Sequence, residues 1–96
     1  MLGVGYFKEH HGSKYPCFQS TSTDIENKAK VLQYMRSCKV IAAAPGRMID
    51  AFSHATIPGE MLAYSDGEYY WGSEAIYYFE KYNLKLPDDF VNRITH

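Results

Sequence analysis

The side chains best suited to chemistry in this chain are four histidines, two cysteines and a scatter of carboxylates. His10 and His11 are adjacent. Neighbours on an extended chain point to opposite faces, so the pair would share a metal only if the segment folded around the ion. Cys17, Cys38 or His54 would then complete the shell, but none of these spacings matches a zinc pattern. The histidines are read as exposed loop residues, with no metal and no cofactor implied. Ser53 and His54 are also adjacent. Nucleophilic catalysis needs a hydroxyl bonded to an imidazole that a third group orients, which sequence neighbours rarely achieve. Asp50, His54 and Glu60 lie in one loop region and form the alternative of a small hydrolase-like enzyme, provided a pocket joins them. Gly3-Val4-Gly5 and Ala44-Pro45-Gly46-Arg47 lack the further glycine or the Lys-Ser/Thr pair of a phosphate-cradling loop.

The charges divide unevenly. Residues 1–47 hold seven basic and three acidic side chains, and residues 48–96 hold three basic and eight acidic, for a total of −1. The aromatic residues gather in the acidic part: Tyr64, Tyr69, Tyr70, Trp71, Tyr77, Tyr78, Phe79 and Tyr82. Nucleic-acid binding wants stacking rings beside cations, so this arrangement speaks against it. It suits a protein interface instead, where Tyr and Trp serve as anchors and carboxylates steer a basic partner. Tyr70, Tyr77 and Tyr78 are the expected anchors, and Asp66, Glu68 and Glu74 the steering charges. The competing reading is that helices cover both sheet faces and the tyrosines simply pack. The two cysteines form no disulfide framework, no leader-like segment is read at Met1–Gly5, and no apolar run reaches membrane-span length. A reducing, cytoplasmic compartment follows as the expectation.

The elements that must position these residues are expected within one domain over residues 1–96. Residues 1–20 read as an irregular arm, with at most one short edge strand, anchored by Phe18. Thr23 and Glu26 form a capping box for a helix over residues 23–37, with Ile25, Ala29, Leu32 and Met35 as its apolar stripe. The sheet is expected over residues 39–71. Val40–Ala44, apolar at every position, reads as a strand covered on both faces. Arg47–Phe52 reads as a second strand, Met61–Tyr64 as a third and Tyr69–Trp71 as a fourth, with Asp66-Gly67 as a hairpin turn. Residues 73–95 hold two helices. Gly72-Ser73 caps the first, Asn83 ends it in the left-handed region, and Pro87 opens the second with Asp88 and Asp89 at its positive end. The fold class is α+β: a helix, then a small four-stranded antiparallel meander, then two C-terminal helices.

Two stretches carry a resemblance. One runs from Tyr34 through Cys38 and Val40–Gly46 to Asp50. The other is Asp66-Gly67-Glu68-Tyr69-Tyr70-Trp71-Gly72-Ser73, followed by Tyr77–Leu84 and Leu86–Phe90. Over roughly residues 30–92 the chain resembles a family of short, uncharacterised bacterial cytosolic proteins, some proposed to be immunity proteins against secreted toxins. The chain departs from that pattern at Cys38 and over Ser53–Thr56. The resemblance implies no activity and no functional residue. The leading expectation is a non-enzymatic protein-binding module of immunity- or antitoxin-like kind, with a basic protein or a second copy of the chain as its partner; a structural homo-oligomer and the small enzyme are the alternatives.

Overall fold

Helix α2 (Ile25–Ser37) begins where Asp24 takes an extended conformation and its Oδ1 accepts the Asn27 amide at 2.9 Å, satisfying a donor that the first turn leaves free. The computed structural model describes residues 1–22 and 24–95; the expected capping partner Thr23 lies outside them. The buried stripe of α2 is Val31, Leu32 and Met35, while Ile25 is 87% exposed and Ala29 is exposed. The expected stripe therefore holds only in its second half. The reason is tertiary. Trp71 Nε1 donates to the Met35 carbonyl at 3.2 Å, one of the last carbonyls a helix leaves without an internal partner. Tyr34 packs against Trp71 and Phe90. These contacts draw the C-terminal half of α2 inward and leave its first turn at the surface.

Four strands form one sheet: β1 (Leu2–Gly3), β2 (Lys39–Ala44), β3 (Met61–Ser65) and β4 (Tyr69–Gly72), in the order β1-β4-β3-β2. The β3–β4 hairpin pairs Tyr64 with Trp71 and Ser65 with Tyr70. Gly67, at φ 99°, supplies the left-handed residue of its turn, while Asp66 Oδ1 accepts the amides of Glu68 and Tyr69. Tyr69 and Trp71 point to one face, both against Phe90. Tyr70 points to the other, over Gly3 and Tyr6. That alternation is the one the strand period demands. Helix α3 (Ser73–Tyr82) follows β4 directly, ends at Asn83 with φ 57°, and α4 (Asp88–Thr95) follows Pro87 as expected.

Four expectations are corrected. The sheet is mixed, not an antiparallel meander, because its fourth strand is the N-terminal Leu2–Gly3, paired parallel to β4. The N-terminal arm is built into the core, with Val4 and Phe7 almost fully buried, and carries helix α1 (Lys8–His11); Phe18 is only half-buried. Arg47–Phe52 forms no strand. Only an isolated bridge joins Ile49 to Thr56, and the Asp50 carboxylate gathers the amides of Phe52 and Ser53 into a turn. Polar side chains that bond the backbone two residues on compete with a strand ladder, and here they win. Finally, Val40–Ala44 is not a covered central strand. It lies in β2 at the edge of the sheet, with all six β2 residues exposed.

Gly5 makes the turn from β1 into the core possible. It sits at φ 81°, and a Cβ there would stand 2.7 Å from the Ala75 Cβ. Gly5→Ala is expected to lower the unfolding free energy by about 2 kcal/mol, read from denaturant melts. An unchanged midpoint would contradict the close approach of this turn to α3.

Candidate interaction surface

The tyrosines of α3 serve the fold first. Asp50 is fully buried. Its Oδ1 accepts the amides of Phe52 at 2.7 Å and Ser53 at 3.0 Å, and its Oδ2 accepts the hydroxyls of Tyr77 at 2.6 Å and Tyr82 at 2.8 Å. Burial alone would raise its pKa. The donated hydrogen bonds outweigh burial and hold the carboxyl well below the usual range. Asp66 repeats the design: Oδ1 takes two turn amides, and Oδ2 takes the Tyr34 hydroxyl at 2.6 Å. Each aspartate thus folds a turn around one oxygen and ties it to a helix through the other.

A second set of contacts locks the N-terminal arm onto α3. Tyr78 is fully buried. Its hydroxyl accepts the Ala51 amide at 2.9 Å and lies 2.7 Å from His10 Nδ1, so the phenol proton is free to be donated to the imidazole. Burial lifts the Tyr78 phenol to about 12. His11 Nδ1 accepts the Phe7 amide at 3.1 Å, and its Nε2 lies 3.2 Å from Glu74 Oε2. The two imidazole rings are 4.6 Å apart. Burial and the neighbouring His11 push the His10 pKa down. The histidines are half-buried members of α1 rather than exposed loop residues. Among the described residues no three His, Cys, Asp or Glu side chains are grouped to hold a metal ion.

The six expected contact residues are therefore spread through the structure. Tyr78 is wholly internal. Tyr77 is half-buried and bonded to Asp50. Tyr70 lines a cleft of about 490 Å³ with Tyr6, Tyr15 and Leu86. Glu68 is exposed and paired with Arg93, which also approaches Asp66 at 3.9 Å. Glu74 is largely covered by His11. The steering carboxylates already have internal partners. Nor does the structure join Asp50, His54 and Glu60. Asp50 is committed to four hydrogen bonds, His54 is exposed and gives its amide to the Asp50 carbonyl at 3.0 Å, and the groove lined by Glu60 is otherwise made of Ala44–Arg47 and Gly59.

What remains open is β2. Its inner side pairs with β3, from Lys39 against Ser65 to Ala44 against Met61, with a bulge at Ile41. Among the described residues no strand pairs with its outer side. Val40 and Ile41 are 45% and 47% exposed. A largely apolar trough of about 240 Å³ runs from β2 over the face of β3, lined by Ala42–Ala44, Met48, Met61–Ala63, Gly72 and Tyr6, with Glu74 at its wall. A free edge presents unpaired N–H and C=O groups, which proteins ordinarily blunt with proline, charge or cover. Here Lys39 is the strand's one charge, no proline interrupts it, and the bulge lies in its first half. In sequence the residues of this edge look like a core strand. A run of three alanines carries no period that separates a buried strand from an exposed one; the proline and glycine that follow mark only its end.

The fold is thus α+β, a four-stranded mixed sheet with helices, and no described helix is long and apolar enough to cross a membrane. Comparison with protein-family models, curated proteins and solved structures returns no match for this chain.

Proposed function

We propose that this protein is a non-enzymatic protein-binding module that takes an extended segment of another chain onto the free edge of β2. The observation that carries the reading is a six-residue edge strand, largely apolar and exposed at every position, beside a trough lined mostly by apolar side chains. Strand addition gains affinity from backbone hydrogen bonds and selectivity from the pockets that receive alternate side chains. Trough walls with two methionines adapt readily to different apolar groups. The aromatic residues around α3, by contrast, secure the arm and the Asp50 turn. An immunity- or antitoxin-like role in a bacterial cytoplasm is one form of such a module, supported by the sequence resemblance alone.

Selection from a library of displayed random peptides tests the proposal. Extended sequences with alternating apolar positions should be enriched, and binding should fall at least about tenfold in the double variant Val40→Lys/Ala43→Lys, which charges the edge. Enrichment of binders indifferent to that variant would overturn it.

A second reading, a homodimer closed through the same edge, has one specific support. The strand runs Lys-Val-Ile-Ala-Ala-Ala, so antiparallel pairing about its centre sets each larger side chain opposite an alanine. The bulge at Ile41 interrupts that pairing, which favours a foreign segment. Sedimentation velocity across a hundredfold concentration range distinguishes the two: a constant monomer excludes the homodimer.

A further inference from the structure

We infer that the segment captured at β2 is apolar in the middle and acidic at its ends; this rests on the strand-capture reading and adds the chemistry of the partner to it. From Cys38 to Ile49 the chain carries two charges, Lys39 and Arg47, and no carboxylate. Both are exposed, and among the described residues neither has an ionic partner within 4.0 Å. Lys39 opens the strand, and Arg47 follows its end beyond the Pro45-Gly46 turn. An apolar strip thus lies between two unneutralised cations.

The surrounding charges do not cancel this pattern. Arg36, at the end of α2, is paired with Glu80. Asp66 and Glu68, near the Lys39 end, are engaged by Arg93. Glu60 shares the groove with Arg47. Among the described residues no ion pair joins the two within 4.0 Å, and Glu74, at the wall of the trough, is held by His11 at 3.2 Å. The carboxylates that make the C-terminal part of the chain acidic are thus largely engaged elsewhere, and the charges offered at the edge are positive. Between them, the trough beside Ala42–Ala44 accepts apolar side chains from alternate positions of an added strand. Charges at the ends of an interface set register and association rate while apolar positions set affinity. A partner with a carboxylate near Lys39 and another near Arg47 would satisfy both cations and fix its register on a strand that is otherwise repetitive.

The test uses the full chain, isotopically labelled, and three octapeptides with the same alternating Val/Thr centre, ending in Asp, Asn or Lys on both sides. Amide shifts of residues 39–44 report where each peptide binds. The Asp-ended peptide should bind about five- to tenfold tighter than the Lys-ended one at low salt, with the Asn-ended peptide between them. The gap should close in about 0.5 M salt and reverse in the Lys39→Glu/Arg47→Glu variant. Equal affinities with shifts still confined to β2 would overturn the acidic-partner inference and leave strand capture standing. Absence of shifts at β2 with all three peptides would overturn both.

Discussion

Asp50→Ala will lower the unfolding free energy by about 3 kcal/mol or more, the largest effect expected of any single change outside the aromatic core. The carboxylate receives four hydrogen bonds with no exposure to solvent. Its removal leaves the Tyr77 and Tyr82 hydroxyls and two turn amides without their acceptor. A buried donor left unpaired costs about 1–3 kcal/mol. Phe52 and Ser53 are exposed enough for water to reach their amides, so the full sum is not reached. Asp50→Asn should cost about half as much, because one oxygen still serves the turn while the new amide group donates to hydroxyls that can rotate to accept. Urea melts of both variants check the order. An alanine variant within 1 kcal/mol of the parent would show that the turn does not depend on this carboxylate.

The second large effect is acid sensitivity in two stages. His10 has its pKa depressed by burial and by His11, so the unfolded chain binds a proton that the folded chain resists. Stability is then fully present above the ordinary histidine value of about 6.5 and is lost as pH falls through it. Protonation at Nδ1 also places a second donor against the Tyr78 oxygen, which already accepts the Ala51 amide. Asp50 and Glu74 are depressed too. In each, burial pulls upward and is outweighed, at Glu74 chiefly by the His11 hydrogen bond. Their contribution is present above the ordinary carboxylate values and is lost as pH falls below about 4.3 for Glu74 and about 3.9 for Asp50. All three groups act in the same direction, so stability falls on acidification with at most about 1.4 kcal/mol per pH unit for each proton taken up. Chemical melts from pH 8 to 3.5 should show one loss centred near pH 6 and a steeper one below pH 4.5. His10→Gln should remove the first and keep the second. A flat profile between pH 8 and 5 in the parent would exclude the histidine latch.

The parts of the fold legible in the sequence are those with local, chemically specific signals. Asp66-Gly67 marks the β3–β4 hairpin, Asn83 the left-handed end of α3, and Pro87-Asp88-Asp89 the start of α4, and each sits where such residues are favoured. The short edge strand expected somewhere in residues 1–20 is β1, but no local signal marks its place, because two residues in parallel pairing depend on a strand almost seventy positions away. The segment 47–52 reads as a strand, but its one carboxylate sends its lone pairs to the backbone and to two tyrosines. The tyrosine cluster was legible as a feature and misleading as a surface. Tyr77 and Tyr78 look like interface anchors in sequence because the same amphipathic ring that serves a partner also serves a buried aspartate or histidine. The β2 edge lay hidden for the opposite reason: three alanines look like core.

The most direct measurement is amide hydrogen exchange of Lys39–Ala44 in the full chain, alone and with a peptide selected for binding. The outward-facing amides of β2 should exchange freely in the isolated protein and slow by about a hundredfold or more in the complex, with little change on α3. Protection that appears on α3 or around Tyr70 while the β2 amides stay open would contradict capture at this edge and return the interface to the aromatic face.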